Sequence, residues 1–335
     1  EEGLKDRAIT RDIEWGVKVP VSGFENKRIY VWFEAVIGYL SAAKEWAKSS
    51  GDSEKWRSFW QDDKTKGYYF IGKDNIPFHT LIWPAMLMGY AGLNLPYNVP
   101  ANEFLTIEGR KLSTSHNWAV WLLDYLARYD PDPLRYLLSI NMPETADTDF
   151  SWREFVRRNN DELVATYGNL VHRVTTFTYR NFDGRVPTVG ELDNRDKAII
   201  KAADNALEAA DGLLYRCHFR EAIRTAISLA QEANRYLDNK APWKALKEDR
   251  PGAARSLYTA LCVIARLKTM LYPFLPFSSQ KLHELLGFQG KIEERGWQPD
   301  PPPPGQKLLP PEPLFSKLDD KLVEEETDRL GQSYG

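Results

Sequence analysis

The chain has 335 residues, 43% hydrophobic and 27% charged, which at roughly 150 residues per domain suggests about two domains with sizeable cores and excludes disorder throughout. Its 44 basic and 47 acidic residues give a net charge of −3, excluding a uniformly basic nucleic-acid coat while allowing a local basic face. Two cysteines, Cys217 and Cys262, and no C-x-x-C or H-E-x-x-H exclude a disulfide-built secreted domain and predict a reducing cytoplasm and no structural zinc.

The chain opens on EEGLKDR, without an apolar stretch or an initiator methionine; this predicts no signal peptide and a start inside a larger gene product. Residues 27–33 (KRIYVWF) read as a buried strand, followed by a helix over 35–47 with Ile37, Leu40, Ala43 and Ala47 at helical spacing. A second strand is predicted over 68–71 (YYFI). Gly72 ends it, and Asp74 or Asn75 caps a helix running through Leu87. The apolar stretch 76–95 is broken by Pro77, His79 and Pro84, so no membrane span is predicted. A third strand over 103–107 (EFLTI) completes an alternation that indicates a parallel α/β sheet.

From Asn117 the pattern is helical. Ser151 and Glu154 (SWRE) form a capping-box signature opening a long helix to about Asn181, stopped by Asp183-Gly184 and Pro187. Further helices over 192–215, 218–239 and 252–271, joined by short loops, predict an antiparallel bundle. Residues 299–313 hold eight of the 21 prolines and read as an extended connector. The tail over 316–330, with Glu324-Glu325-Glu326, is helix-like and either packs back or stays solvated.

Several residues carry candidate chemistry. Lys111-Leu112-Ser113-Thr114-Ser115 follows Glu108-Gly109-Arg110 on a loop between strand and helix. A mobile loop with a point charge and small hydroxyls can close over a polyphosphate and neutralise charge developing in nucleotidyl transfer; K-x-S-x-S by itself equally describes a solvated turn. Gly72-Lys73-Asp74 lies at a strand's C-terminal end, where α/β sheets bind ligands, and Asp74 can bond ribose hydroxyls, cap the helix, or both. Trp32, Ala35 and Tyr39 lie on one strand-to-helix junction and suit either a soft aromatic pocket or ordinary core. His79, on an apolar helix, has by residue type the profile of a core histidine. Asn169 and Arg173 share a helix face and can bond the edges of an unstacked base, while Trp243 can stack on another. A surface polar pair and a packed tryptophan after a proline are the alternative. Arg153, Arg157 and Arg158 upstream suit phosphate contacts or a solvated face.

Taken in order, these segments resemble the methionyl-tRNA synthetases of class I over about residues 7–290. RAITRDIEWGVKVP (7–20) resembles the segment re-entering the catalytic domain. YVWFEAVIGY (30–39) resembles the V-W-x-x-A-x-x-G-Y stretch lining the methionine pocket, and FIGKDNIPFHTLIWPAM (70–86) the F-x-G-K-D…F-H…W-P-A block. GRKLSTS resembles the KMSKS loop, with Thr114 where that motif has its second lysine; NLVHR (169–173) and NKAPW (239–243) resemble the anticodon-reading positions.

The resemblance implies a partial Rossmann-like α/β catalytic half over 1–115, connecting helices over 116–150, an all-α anticodon-binding bundle over 151–298, and a Pro-rich connector with acidic tail over 299–335. It implies catalytic Lys111, Ser113, Thr114 and Ser115. ATP falls to Gly72, Lys73, Asp74, Lys111 and Thr114, methionine to Trp32, Ala35, Tyr39, Asn75 and His79, and the anticodon to Asn169, Arg173, Pro242 and Trp243. The implied reaction activates methionine with ATP and Mg2+ and transfers it to tRNA(Met). The second class I signature, H-x-G-H, occurs nowhere in the chain, so the resemblance implies a C-terminal part needing an N-terminal catalytic half. A non-catalytic tRNA-binding module is the alternative. NLVHR, APW and the YVWFEAVIGY pocket argue against a valine, isoleucine or leucine enzyme.

Overall fold

The computed structural model describes residues 6–332, in two units divided between Phe104 and Leu105. In the first, β1 (Thr10–Arg11) and β2 (Arg28–Ile29) pair antiparallel, followed by α1 (Val31–Ala35), α2 (Gly38–Ser49) and α3 (Arg57–Trp60). The strand predicted over 27–33 thus stops after Ile29. The last ladder-like bond is Tyr30 N–H to the Ile9 carbonyl at 2.9 Å, and the apolar run beyond it turns helical, since so short a run fits either period. Trp32 therefore sits on a helix, 47% exposed, rather than in a buried strand.

β3 (Ile71–Gly72) pairs parallel with β4 (Ala101–Asn102). Between them lie a tight turn over Lys73–Asn75, wide π-type turns over Phe78–Ile82, and α4 (Trp83–Tyr90). The helical turns start from Gly72 and Pro77, neither with a side-chain cap, so neither Asp74 nor Asn75 is the predicted N-cap. Proline's fixed φ suits that entry position. Val36, Trp56, Trp60, Phe78, Trp83 and Leu87 form the core of this unit.

The second unit opens with β5 (Leu105–Ile107), which pairs antiparallel with β6 (Arg110–Lys111) and parallel with β7 (Thr148–Phe150). α5 (Leu122–Leu126) and α6 (Pro131–Ile140) lie between β6 and β7. α7 (Trp152–Arg158) is capped by Ser151 Oγ, which accepts from the Glu154 amide at 3.2 Å. The capping box is only half made, because the Glu154 carboxylate turns to Arg157 and Arg158. Wide turns over Asn159–Gly168 carry the helix into α8 (Asn169–Asn181), which ends where predicted. Gly168 permits this packing: a Cβ there would lie 2.8 Å from the Leu163 carbonyl oxygen.

α9 (Asn194–Tyr215), α10 (Phe219–Lys240), α11 (Pro242–Ala245), α12 (Arg250–Leu271) and α13 (Pro276–Leu285) complete the bundle. Asp193 and Asp196 cap α9 reciprocally. α12 is buried on nearly every side from Ala253 to Leu271, as a central helix must be. The proline-rich connector is held in place: Leu308 is buried, and its N–H donates to the Gly184 carbonyl at 2.8 Å. The tail packs back as α14 (Lys321–Arg329) against α7, burying Leu322 and Glu326. No helix among the described residues is long and apolar enough to cross a membrane.

Candidate functional site

In the first unit, α2 presents Tyr39 and the wide turns before α4 present His79. His79 Nδ1 lies 2.9 Å from the Asn75 carbonyl, which only accepts, so Nδ1–H donates to it. Nε2 is then the acceptor of the neutral ring, and the Tyr39 hydroxyl donates to it at 2.8 Å. The 40-residue separation of this pair is invisible to any local pattern. Tyr69, absent from the sequence-based candidates, packs edge-on to Tyr39 at 5.3 Å, with Trp83 6.3 Å from the same ring. Burial pushes the Tyr69 hydroxyl up. His79 is 5% exposed and Tyr39 43%, so the buried imidazole orients a phenol that reaches the surface. A cavity of about 330 Å³ adjoins Tyr39, lined also by Trp60, Tyr69 and Phe70. Trp32 lies 6.3 Å from Phe78, and Ala35 is exposed at the end of α1.

At the end of β3, Gly72 is extended and open, and Asp74 is exposed. Lys73 is engaged, its Nζ 2.5 Å from Glu103 and 4.1 Å from the Phe104 ring centroid. Glu103 escaped the sequence reading because its partner is 30 residues away.

In the second unit, β5 turns into β6 through Glu108 and Gly109, both at positive φ (47° and 73°), the signature of a two-residue type I′ hairpin. Asp149 Oδ1 fastens this turn, accepting from Gly109 N–H at 2.9 Å and from Thr106 Oγ1 at 2.5 Å. Lys111 then lies exposed on β6. Ser113 and Trp118 exchange backbone bonds of 3.0 and 2.8 Å, closing residues 113–118 into a loop. His116 Nδ1 lies 2.9 Å from Ser113 Oγ and 3.3 Å from Ser115 Oγ. Thr114 is exposed. The Arg110 guanidinium stacks over Trp118 at 4.6 Å. Gly331 N–H donates to the Asn117 carbonyl at 3.0 Å, tying the tail to the end of the loop.

The bundle brings the distant α8 and α11 residues together. The Arg173 guanidinium lies 4.5 Å over the Trp243 ring and 3.2 Å from Asp238. Ala241 adopts a left-handed φ of 40° to end α10, and buried Pro242 starts α11. Trp243 rests against the bundle core on one side, so the core and surface readings each describe part of it. Asn169 is exposed and lines a cavity of about 340 Å³ with His172, Pro313 and Phe315. Arg157 and Arg158 are paired with Glu154 and Glu162, while Arg153 is exposed. Among the described residues no group of three or more His, Cys, Asp or Glu side chains is arranged to hold a metal, and both cysteines are free.

Residues 1–175 match the family described as tRNA synthetases class I (M), and residues 186–333 the anticodon binding domain of methionyl tRNA ligase. A methionine–tRNA ligase of Dehalococcoides mccartyi is 62% identical over 331 residues, covering 99% of this chain and 60% of that protein. One from Thermomicrobium roseum is 48% identical, covering 98% and 61%. The crystal structure of Mycobacterium tuberculosis methionyl-tRNA synthetase bound by methionyl-adenylate superposes with a TM-score of 0.79 at 30% identity, over 94% of this chain and 61% of that one. The chain thus spans about 60% of the length of the curated relatives it matches. With an α/β half of few, short strands preceding a helical anticodon-binding region, the chain belongs to the methionyl class I tRNA synthetases.

Proposed function

We propose that this chain is the C-terminal part of a cytoplasmic methionine–tRNA ligase and acts with an N-terminal catalytic portion, its curated relatives being longer. Methionine, ATP with Mg2+ and tRNA(Met) are the substrates. In the first step a methionine carboxylate oxygen attacks the α-phosphorus of ATP, the Pα–O–Pβ bond breaks, and pyrophosphate leaves with the electron pair. In the second, a terminal ribose hydroxyl of the tRNA displaces AMP.

The observation that carries this reading is the Asn75–His79–Tyr39 hydrogen-bonded chain set against Tyr69 and Trp83 in the first unit. A thioether is soft and weakly accepting, and it favours aromatic edges over charged partners. The buried His79 ring, held by the Asn75 carbonyl, fixes the Tyr39 phenol in place. Gly72 and Asp74 offer an open approach for the nucleotide, Asp74 toward ribose hydroxyls. Lys111, with the Ser113, Thr114 and Ser115 hydroxyls, supplies donors for charge developing on the phosphates. Exposed Asn169 and the Arg173–Trp243 stack read the anticodon, and buried Pro242 starts the short helix that carries Trp243.

A second reading, a tRNA-binding module without adenylation, is favoured by the absence of H-x-G-H from these 335 residues. Methionine-dependent ATP–pyrophosphate exchange by the enzyme assembled with the N-terminal portion separates the two. The ligase reading predicts exchange with methionine and none with valine, isoleucine or leucine. Exchange absent with methionine in that assembly contradicts it.

A further inference from the structure

We propose that His116 is a second cationic donor of the Lys111–Ser115 loop and reaches the pyrophosphate oxygens of ATP as they gain charge; this rests on the ligase reading above. The loop has an electrostatic shortfall. A triphosphate carries several negative charges, yet Lys111 is the one lysine in residues 109–118. Thr114 brings a hydroxyl and no charge. Arg110, the other strong cation, has its guanidinium stacked over Trp118.

His116 is placed to meet the shortfall. The Ser113–Trp118 backbone exchange and the Asn117 N–H bond to the Thr114 carbonyl (3.1 Å) make residues 114–116 the exposed tip of the loop. Asn117 turns the chain back with φ 50°. Ser113 Oγ accepts from the His116 backbone N–H at 3.3 Å, leaving its own hydrogen for Nδ1 at 2.9 Å. With Nδ1 accepting, Nε2 carries the proton of the neutral ring. When the ring is charged, Nδ1–H donates to the Ser113 or Ser115 oxygen instead, and Nε2–H still points outward. Among the described residues nothing pairs with Nε2. Both protonation states therefore present an N–H donor beyond the serines, and the charged state adds a full cation. No proton is transferred; the ring stabilises the leaving pyrophosphate by hydrogen bonding and charge.

The flanking charged groups are Lys111, Arg110 and, at the hairpin turn, Asp149 and Glu108, whose carboxylate accepts from the Trp152 amide. None forms an ion pair with His116 among the described residues. The tail contributes the Gly331 amide and the Gln332 carbonyl to Asn117, and neither carries charge.

The test is a substitution series read by single-turnover adenylation in the assembled enzyme, with a pyrophosphate titration of the histidine-labelled 335-residue chain followed by NMR. His116→Ala should slow adenylation about 100-fold, the lower end of the loss for one transition-state donor, with an unchanged thermal midpoint because the ring is exposed. His116→Lys should keep the rate near that of the unsubstituted enzyme, because a cationic N–H donor is retained at the loop tip. His116→Asn keeps an acceptor for Ser113 but has no atom at Nε2, so it should stay slow. In the titration the His116 ring signals should shift on adding inorganic pyrophosphate. An Ala variant at full rate, rescue by Asn, or an unmoved His116 signal overturns the proposal. If the unsubstituted assembled enzyme shows no methionine-dependent exchange, the ligase reading fails on that arm alone, and the pyrophosphate titration still decides His116.

Discussion

Lys111 and Arg173 are both cations on faces assigned to phosphate or base, and their surroundings predict different consequences of removal. Lys111 is exposed on a two-residue strand and supports no packing. On the ligase reading Lys111→Ala slows single-turnover adenylation by about two to three orders of magnitude while methionine affinity and the thermal midpoint stay where they were. A variant with an unchanged rate returns the loop to a solvated turn. Arg173 is instead stacked on Trp243 and paired with Asp238, so a base stacking on Trp243 has to displace the guanidinium from the ring. Trp243→Ala should weaken tRNA binding by about 1–3 kcal/mol, and it should also lower the melting midpoint, because the other side of the ring lies against the bundle core. Arg173→Ala should leave the midpoint near its original value and reduce discrimination between the CAU anticodon and altered ones. Filter binding with matched and swapped transcripts, alongside thermal melts, checks both.

At the scale of elements, what the sequence revealed followed the strength of its periodicity. α9, α10 and α12 are long, and their apolar positions repeat at 3.6 residues, so they lie close to where the pattern put them. The strands are two or three residues long, too short to show alternation, and the run 27–33 was misassigned for that reason. Asp74 was misassigned as a cap because wide and tight turns, started by Gly72 and Pro77, replace a regular N-terminus there.

Nor does any local pattern announce the cluster joining α12, α13 and the connector. Lys268 Nζ, fully buried, donates to His283 Nδ1 at 3.2 Å and to Asp300 Oδ2 at 3.0 Å, and Arg295 pairs with Asp300 at 3.1 Å. Burial, followed by the nearby Lys268 charge, pushes the His283 imidazole down. Burial opposes ionisation of Asp300, but Arg295 and Lys268 together hold its carboxyl below the usual range. Burial likewise lowers the Lys268 ammonium. In all three the unfolded chain binds more protons than the folded one, so stability rises with pH. Histidine's contribution is lost as pH falls below about 6.5, and aspartate's below about 4. The melting midpoint should therefore decline on acidification from pH 7 to 5, and His283→Gln should flatten that limb; a midpoint independent of pH across this window would contradict the arrangement.

The tail helix permits a parallel test. Glu326 is buried and accepts from Arg128 and from the Tyr129 hydroxyl at 2.8 Å. Glu326→Ala should cost about 1–3 kcal/mol by leaving those donors unmatched, read as a lower denaturation midpoint with unchanged m-value.

Across the whole molecule, the candidate site residues were legible as motifs and their couplings were not. GKD, KLSTS, NLVHR and APW stand out as short strings, whereas Tyr39 with His79, Lys73 with Glu103, and Arg173 with Trp243 become partners only through the fold. The helical half carries its own large core, built from α8, α9, α10, α12 and α13, so on the ligase reading it should bind tRNA without the N-terminal portion. On the ligase reading adenylation is a different matter, since H-x-G-H is absent from these residues: the chain alone should show no methionine-dependent pyrophosphate exchange, and exchange should appear when an N-terminal portion is supplied. Attachment of methionine to tRNA by that assembled enzyme, measured with a CAU-anticodon transcript and an anticodon-swapped one, tests the central claim most directly. The ligase account predicts charging of the CAU transcript and a steep loss of kcat/KM for the swapped one. No charging of either, or equal charging of both, would contradict it.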